Sequence, residues 1–142
     1  MSRFVLDANI ILAALAGRPD APPALLLAGV HNGELEAVAC PLLIEEIRDN
    51  LEKPYFRARL NELEAHEALE AFSAVAVMLS NPTDVEPVLR DPDDDYLVAL
   101  ARDSNAEAII TGDKDLLDHP GLNSRAIDAR SACGLAGLGE RG

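Results

Sequence analysis

Cysteine is scarce in this chain: only Cys40 and Cys133 occur, and they do not form a CxxC pair. Each lies among small apolar neighbours, so the expectation is two buried, reduced thiols rather than a disulfide. The three histidines, His31, His66 and His119, show neither HxxxH nor Cys/His ligand spacing, which argues against a zinc site of the usual kind. Long apolar runs are missing too. No stretch approaches the roughly 18 residues that a membrane span needs. After Met1-Ser2-Arg3 the chain enters a short strand-like run without the apolar region of a secretory signal, so a cytoplasmic location is expected. Repeats, linkers and low-complexity tracts are also absent.

Positive charge is the other shortage. Twelve Lys and Arg against 25 Asp and Glu give a formal net charge of −13. For the chain as a whole this opposes a nucleic-acid partner, because phosphate backbones favour basic surfaces. Local charge differs from total charge, however. Arg48, Lys53, Arg57 and Arg59 fall within twelve residues, whereas residues 62–70 are acidic. The basic group is either a solvated face whose stems cover apolar surface or an edge that touches an RNA backbone.

What is present is the composition of an ordinary soluble domain. With 142 residues, 49% hydrophobic and 26% charged, the chain can bury a core without disulfide or metal staples. A single domain over residues 1–142 is expected, with the glycine-rich tail from about residue 134 frayed. Apolar periodicity and turn residues predict strands over 4–6, 36–40, 74–79, 108–110 and 125–127. Helices are predicted over 8–16, 24–30, 41 to about 53, 61–72 and 114–117. Another should open at Asp91-Pro92 and run to about residue 103. Gly17-Arg18-Pro19 and Pro54 read as helix stops. Strands alternating with helices predict an α/β fold, a mostly parallel central sheet with helices on both faces. In such sheets ligands bind beyond the C-terminal ends of the strands.

Acidic residues gather at that edge. Asp7 follows the run Phe4-Val5-Leu6, and Asp113 follows Ile109-Ile110-Thr111-Gly112, where the glycine would permit a tight turn. Capping a helix is the plain alternative for both. In the helix after Pro41, Leu43, Ile44, Ile47 and Leu51 define an apolar face with Glu46 at its border and Glu45 turned away. Within Asp91-Pro92-Asp93-Asp94-Asp95, Leu97, Val98 and Ala101 stand at i+3, i+4 and i+7 from Asp94. That places Asp94 at the top of the buried stripe, where an unpaired carboxylate needs a partner. Asp91 reads as the cap, in a box with Asp94. Asp95 falls on the flank as a secondary or solvated acid, and Asp115 is auxiliary. Several carboxylates within a few ångström repel one another unless cations sit between them, and oxygen-preferring Mg2+ or Mn2+ would resolve that repulsion.

The blocks Leu6-Asp7-Ala8-Asn9, Glu45-Glu46-Ile47 with Leu51 and Lys53-Pro54-Tyr55-Phe56, Asp91-Pro92-Asp93-Asp94 before Leu97 and Ala101, and Thr111-Gly112-Asp113-Lys114-Asp115-Leu116-Leu117 occur in this order. With them the chain resembles PIN-domain proteins over nearly its whole length, specifically the toxin components of type II toxin–antitoxin systems (VapC-like ribonucleases). The resemblance implies a PIN-like three-layer fold and a metal-dependent endoribonuclease. It carries catalytic and metal-binding roles onto Asp7, Glu46, Asp94 and Asp113, with one or two Mg2+ or Mn2+ ions. Asn9 and Thr111 match the family's supporting polar positions. An RNA substrate, a small antitoxin that inserts into the active-site groove and a homodimer are implied as partners, and no membrane. After Ile127 the sequence departs from the family pattern, which ends in an aromatic-containing helix.

Three other readings compete. A haloacid-dehalogenase-like phosphatase would need a second Asp where Asn9 stands, and a phospho-receiver domain fits only in fragments. A catalytically silent PIN-like module that binds RNA or protein shares the acidic set and differs in lacking turnover.

Overall fold

The computed structural model describes residues 1–122 and 125–138. Five short parallel strands form one sheet: β1 Arg3–Leu6, β2 Glu36–Ala39, β3 Val77–Met78, β4 Ala108–Ile110 and β5 Arg125–Ile127, in the order β3-β2-β1-β4-β5. Central β1 pairs Val5 with Val38 of β2 on one side and with Ile109 of β4 on the other. Phe4, Val5, Leu6, Ala108, Ile109 and Ile110 are all buried. Both middle strands are therefore covered on both faces, as uninterrupted apolar runs in parallel sheets require. From β1 the chain steps outward to β2 and β3, then returns across the sheet to β4 and β5. The strand order reverses between β1 and β4, so their C-terminal ends flank the crevice in which open α/β sheets bind ligands.

Eight α-helices flank the sheet among the described residues: α1 Ala8–Ala16, α2 Pro22–His31, α3 Pro41–Leu51, α4 Pro54–Arg57, α5 Glu62–Val75, α6 Asp95–Ser104, α7 Lys114–Leu117 and α8 Ala129–Ala136. Three of them open with proline at the first turn, where its missing N–H is no loss. α5 starts at a reciprocal capping box between Asn61 and Glu64. α6 ends at Asn105 and α8 at Gly137, both in the left-handed conformation that stops helices. α6 packs on β1, β2 and β4, while α1, α2, α3, α5 and α8 pack among themselves. None of the described helices is long and apolar enough to cross a membrane.

The expected α/β architecture, parallel sheet and flanking helices are present, and the differences lie at element ends. α3 stops at Leu51, and Pro54 begins α4 instead of ending a longer helix. α5 runs on to Val75, leaving a strand of two residues where 74–79 was expected. The helix predicted from Asp91 is split into a 3-10 turn, Pro92–Asp94, followed by α6. The tail expected from about residue 134 begins inside a helix. α8 continues through Ala136 and Leu138 is buried against the core; residues 139–142 lie outside the described residues. Cys40 and Cys133 are buried and free, with burial raising both thiol pKa values.

Candidate acidic site at the C-terminal ends of the strands

Asp7 directly follows β1, and its backbone N–H donates to Ile110 O at 2.9 Å, extending the β1–β4 ladder by one residue. Thr111 is held in the same way, its N–H donating to Ile127 O at 3.0 Å. The two side chains then meet: Thr111 Oγ1 donates to Asp7 Oδ2 at 2.8 Å. The same oxygen accepts the backbone N–H of Asp113 at 3.0 Å. One buried hydroxyl thus sets the position of two acids. Asp7 makes no geometric side-chain cap hydrogen bond to α1, although the Ala8 and Asn9 amides at the start of that helix still favour its ionised form. Asp7 is only 4% exposed and forms no ion pair among the described residues. Burial raises its pKa; the Thr111 hydroxyl and the Asn9 amide oppose the rise, and Asp113 adds to it.

Glu46 lies one turn into α3 and is half-buried. Burial raises its pKa, the Tyr96 hydroxyl opposes this, and the charges of Asp7, Asp93 and Asp91 reinforce it. That hydroxyl donates to Glu46 Oε1 at 2.8 Å. Glu45 is exposed, as helical phase predicts. Asp94 occupies the junction of the 3-10 turn and α6, and its carboxylate accepts no hydrogen bond from the described residues. Its pKa is pushed up to about 6, first by burial and then by Asp7, Asp91, Glu46 and Asp113. Asp113 caps α7 through the Asp115 amide at 2.9 Å. Asp7, Glu46, Asp94 and Asp113 therefore share one electrostatic neighbourhood. The ion pairs among the described residues, Arg3–Glu36, Arg18–Asp20 and Arg102–Asp103, all lie elsewhere.

Among the described residues no three His, Cys, Asp or Glu side chains already converge closely enough to hold an ion. The donors themselves suit a hard divalent cation: all are carboxylate oxygens, and Asp7 is a buried acid with no ion pair among the described residues.

The supporting residues separate. Thr111 is fully buried in the site, whereas Asn9 is an exposed residue of α1. Asp91 caps the 3-10 turn through the Asp93 amide rather than pairing with Asp94. Asp95 is the clear departure from expectation. It is 4% exposed, not solvated, and its Oδ1 accepts the backbone N–H groups of Val88 at 3.1 Å and Leu89 at 2.7 Å. The 3-10 turn changes the helical phase at Asp94, and the loop of residues 83–90 folds back over the flank that periodicity left open. Asp115 is exposed and contributes only its amide. Gly112 needs no special conformation, since a Cβ there would meet nothing within 4 Å; the expected tight turn is not what selects it.

The basic residues lie along α3 and α4. Arg48 and Arg57 line a cavity of about 500 Å3 with Leu51, Leu63, Leu69 and the acids Glu52 and Glu62. Arg59 stacks over the exposed Tyr55 ring at 3.7 Å, and Lys53 is an exposed residue at the start of α4. Sequence reading missed Tyr96. Its signal was a tyrosine on the buried face of a helix, because a buried phenol needs a hydrogen-bond partner.

The PIN domain family matches residues 3–115 of the chain. Solved structures similar to it include PAE2754 from Pyrobaculum aerophilum, with 21% identity, 96% of this chain and 90% of that chain covered, and a TM-score of 0.64. FitAcB from Neisseria gonorrhoeae follows with 14% identity, coverage of 89% and 98%, and a TM-score of 0.58. FitAB bound to an IR36 DNA fragment has 13% identity, coverage of 89% and 94%, and a TM-score of 0.54. At these identities the likeness is one of fold. No curated protein matches the chain.

Proposed function

This chain belongs to the PIN domain family, and on that premise we propose that it is a cytoplasmic, single-domain endoribonuclease that hydrolyses RNA phosphodiester bonds with Mg2+ or Mn2+. PIN domains are generally nucleases. The observation that carries the reading is Asp7, a buried carboxylate at the C-terminal end of β1. It is clamped by Thr111 and shares its surroundings with Glu46, Asp94 and Asp113, and none of the four forms an ion pair among the described residues.

Asp7, Glu46, Asp94 and Asp113 would hold one or two divalent ions. Such an ion supplies Lewis-acid stabilisation of phosphate oxygens and lowers the pKa of water. The protein's own part is to hold and to exclude. Thr111 keeps Asp7 and Asp113 in fixed register, and the sheet edge beneath them is closed by the buried side chains of β1 and β4. Asp94, whose pKa is pushed up to about 6 by burial and by the neighbouring carboxylates in the metal-free protein, would be returned to its ionised form by a bound cation and serve as one of its ligands. Arg48, Lys53, Arg57 and Arg59 would contact the RNA backbone as a local exception to the net charge of −13. The resemblance in sequence extends the proposal to a toxin held inactive by a small antitoxin, with homodimerisation.

The test incubates the purified protein with total and structured RNAs in Mg2+ or Mn2+. Chelator should stop cleavage, and Asp94→Asn should slow it by on the order of 100-fold or more, a loss of several kcal/mol of transition-state stabilisation. Equal cleavage by Asp94→Asn would remove Asp94 from the site. Absence of any cleavage together with absence of divalent-ion binding would leave a binding module.

A further inference from the structure

Three of the four acids are tethered by a hydrogen bond that fixes the carboxylate: Asp7 by Thr111, Asp113 by the Asp115 amide, and Glu46 by Tyr96. The first two tethers are local to the ends of β1 and β4. The third spans 50 residues of sequence and joins α3, which carries Glu46, to α6, whose start carries Asp94. Tyr96 is 8% exposed, so its ring is held by the core while only its hydroxyl reaches the acids. A buried phenol could equally be satisfied by a backbone carbonyl. Here its partner is a glutamate whose charge is already opposed by Asp7, Asp93 and Asp91. The hydroxyl donates to Glu46 Oε1 at 2.8 Å, and no hydrogen bond from the described residues reaches Oε2.

We propose that Tyr96 is a positioning residue of the acidic site: its hydroxyl fixes the Glu46 side chain and sets the distance between α3 and the start of α6, presenting one oxygen of Glu46 to the cation. The proposal rests on the reading of the four acids as a divalent-cation site. Untethered, a glutamate with three rotatable bonds spreads over many rotamers, and binding an ion must then order it. Groups that orient metal-binding side chains are worth about 10- to 100-fold in affinity.

Two measurements test it. Calorimetric titration with Mn2+ should show Tyr96→Phe binding on the order of 10-fold more weakly than the unaltered protein, with a metal-free melting temperature close to it, since the ring stays in place. In a Glu46→Gln background the same change should weaken binding no further, because the hydroxyl acts only through Glu46. The second measurement needs no change at Tyr96. The chain has no tryptophan and two tyrosines, so Tyr55→Phe leaves Tyr96 as the sole fluorophore; Mg2+ should shift its emission saturably, and Glu46→Gln should abolish the shift. Unchanged Mn2+ affinity in Tyr96→Phe overturns the tether while sparing the cation site. So does an emission indifferent to Mg2+ that calorimetry shows to bind. Absence of binding by the unaltered protein overturns both.

Discussion

The two ends of the sheet treat charge in opposite ways. At the N-terminal end, Arg3 of β1 pairs with Glu36 of β2 at 3.2 Å and donates to Ser104 O, at the end of α6, at 2.9 Å. Arg3 and Glu36 compensate each other there, and the Arg3 guanidinium joins two strands and a helix. At the C-terminal end, β1, α3 and the start of α6 deliver Asp7, Glu46 and Asp94 with no ion pair among the described residues, and each has its pKa raised by burial and by neighbouring carboxylates. Folding alone does not favour the second arrangement, because buried unpaired charge opposes it. One end stabilises the fold, and the other holds unfavourable charge in a rigid frame. An acidic edge of that kind is where a divalent cation would change the energetics most.

The acidic edge itself contains a sharper contrast, between neighbours Asp94 and Asp95. Removing Asp95 should have the largest effect on stability, since Asp95→Ala removes a buried side chain and leaves the part-buried amides of Val88 and Leu89 without their acceptor. A loss of about 2–4 kcal/mol is expected, read as a lowered urea midpoint. A midpoint within experimental error of the unaltered protein would break the contrast. Removing the charge of Asp94 should do the reverse. The unfolded chain ionises near 3.8 and the folded site near 6, so the folded state binds the extra proton in between. This group's contribution to stability is fully present below about pH 4 and is lost as pH rises to about 6. In metal-free protein at pH 7, Asp94→Asn should therefore raise stability. After allowance for partial exposure, about 1 kcal/mol is expected, vanishing below about pH 4. A destabilised Asp94→Asn at pH 7 would mean that Asp94 is compensated after all. The smallest effect belongs to the opposite edge. Arg3→Ala should lower stability by about 0.5–1 kcal/mol, less in high salt, because that ion pair is part-exposed.

The same contrast marks what the sequence revealed. Interactions close in sequence were legible: the apolar runs of β1 and β4 followed by polar residues, proline at helix starts, and the phase that separates Glu46 from Glu45. Interactions between distant segments were not. Asp95 read as a flank acid because no periodicity shows that residues 83–90 fold back onto it. Tyr96 and Glu46 are 50 residues apart, and nothing local to either names the other. α8 escaped notice because Ala129–Ala136 offers few large apolar side chains to define a face, and Pro54 read as a stop although it stands at a first turn. The match to the PIN domain family covers residues 3–115 and ends before α8, the part of the chain whose sequence departs from the family pattern.

The central claim, that the C-terminal edge is charged in order to hold a divalent cation, is tested most directly by calorimetric titration of metal-free protein with Mn2+ at pH 7, comparing the unaltered chain with Asp7→Asn and Arg3→Ala. The account predicts saturable binding by the unaltered chain, binding as tight in Arg3→Ala, and affinity reduced by at least on the order of 10-fold in Asp7→Asn, whose side chain still accepts the Thr111 hydrogen bond. Binding by Asp7→Asn as tight as that of the unaltered chain, or no binding by the unaltered chain, would contradict it.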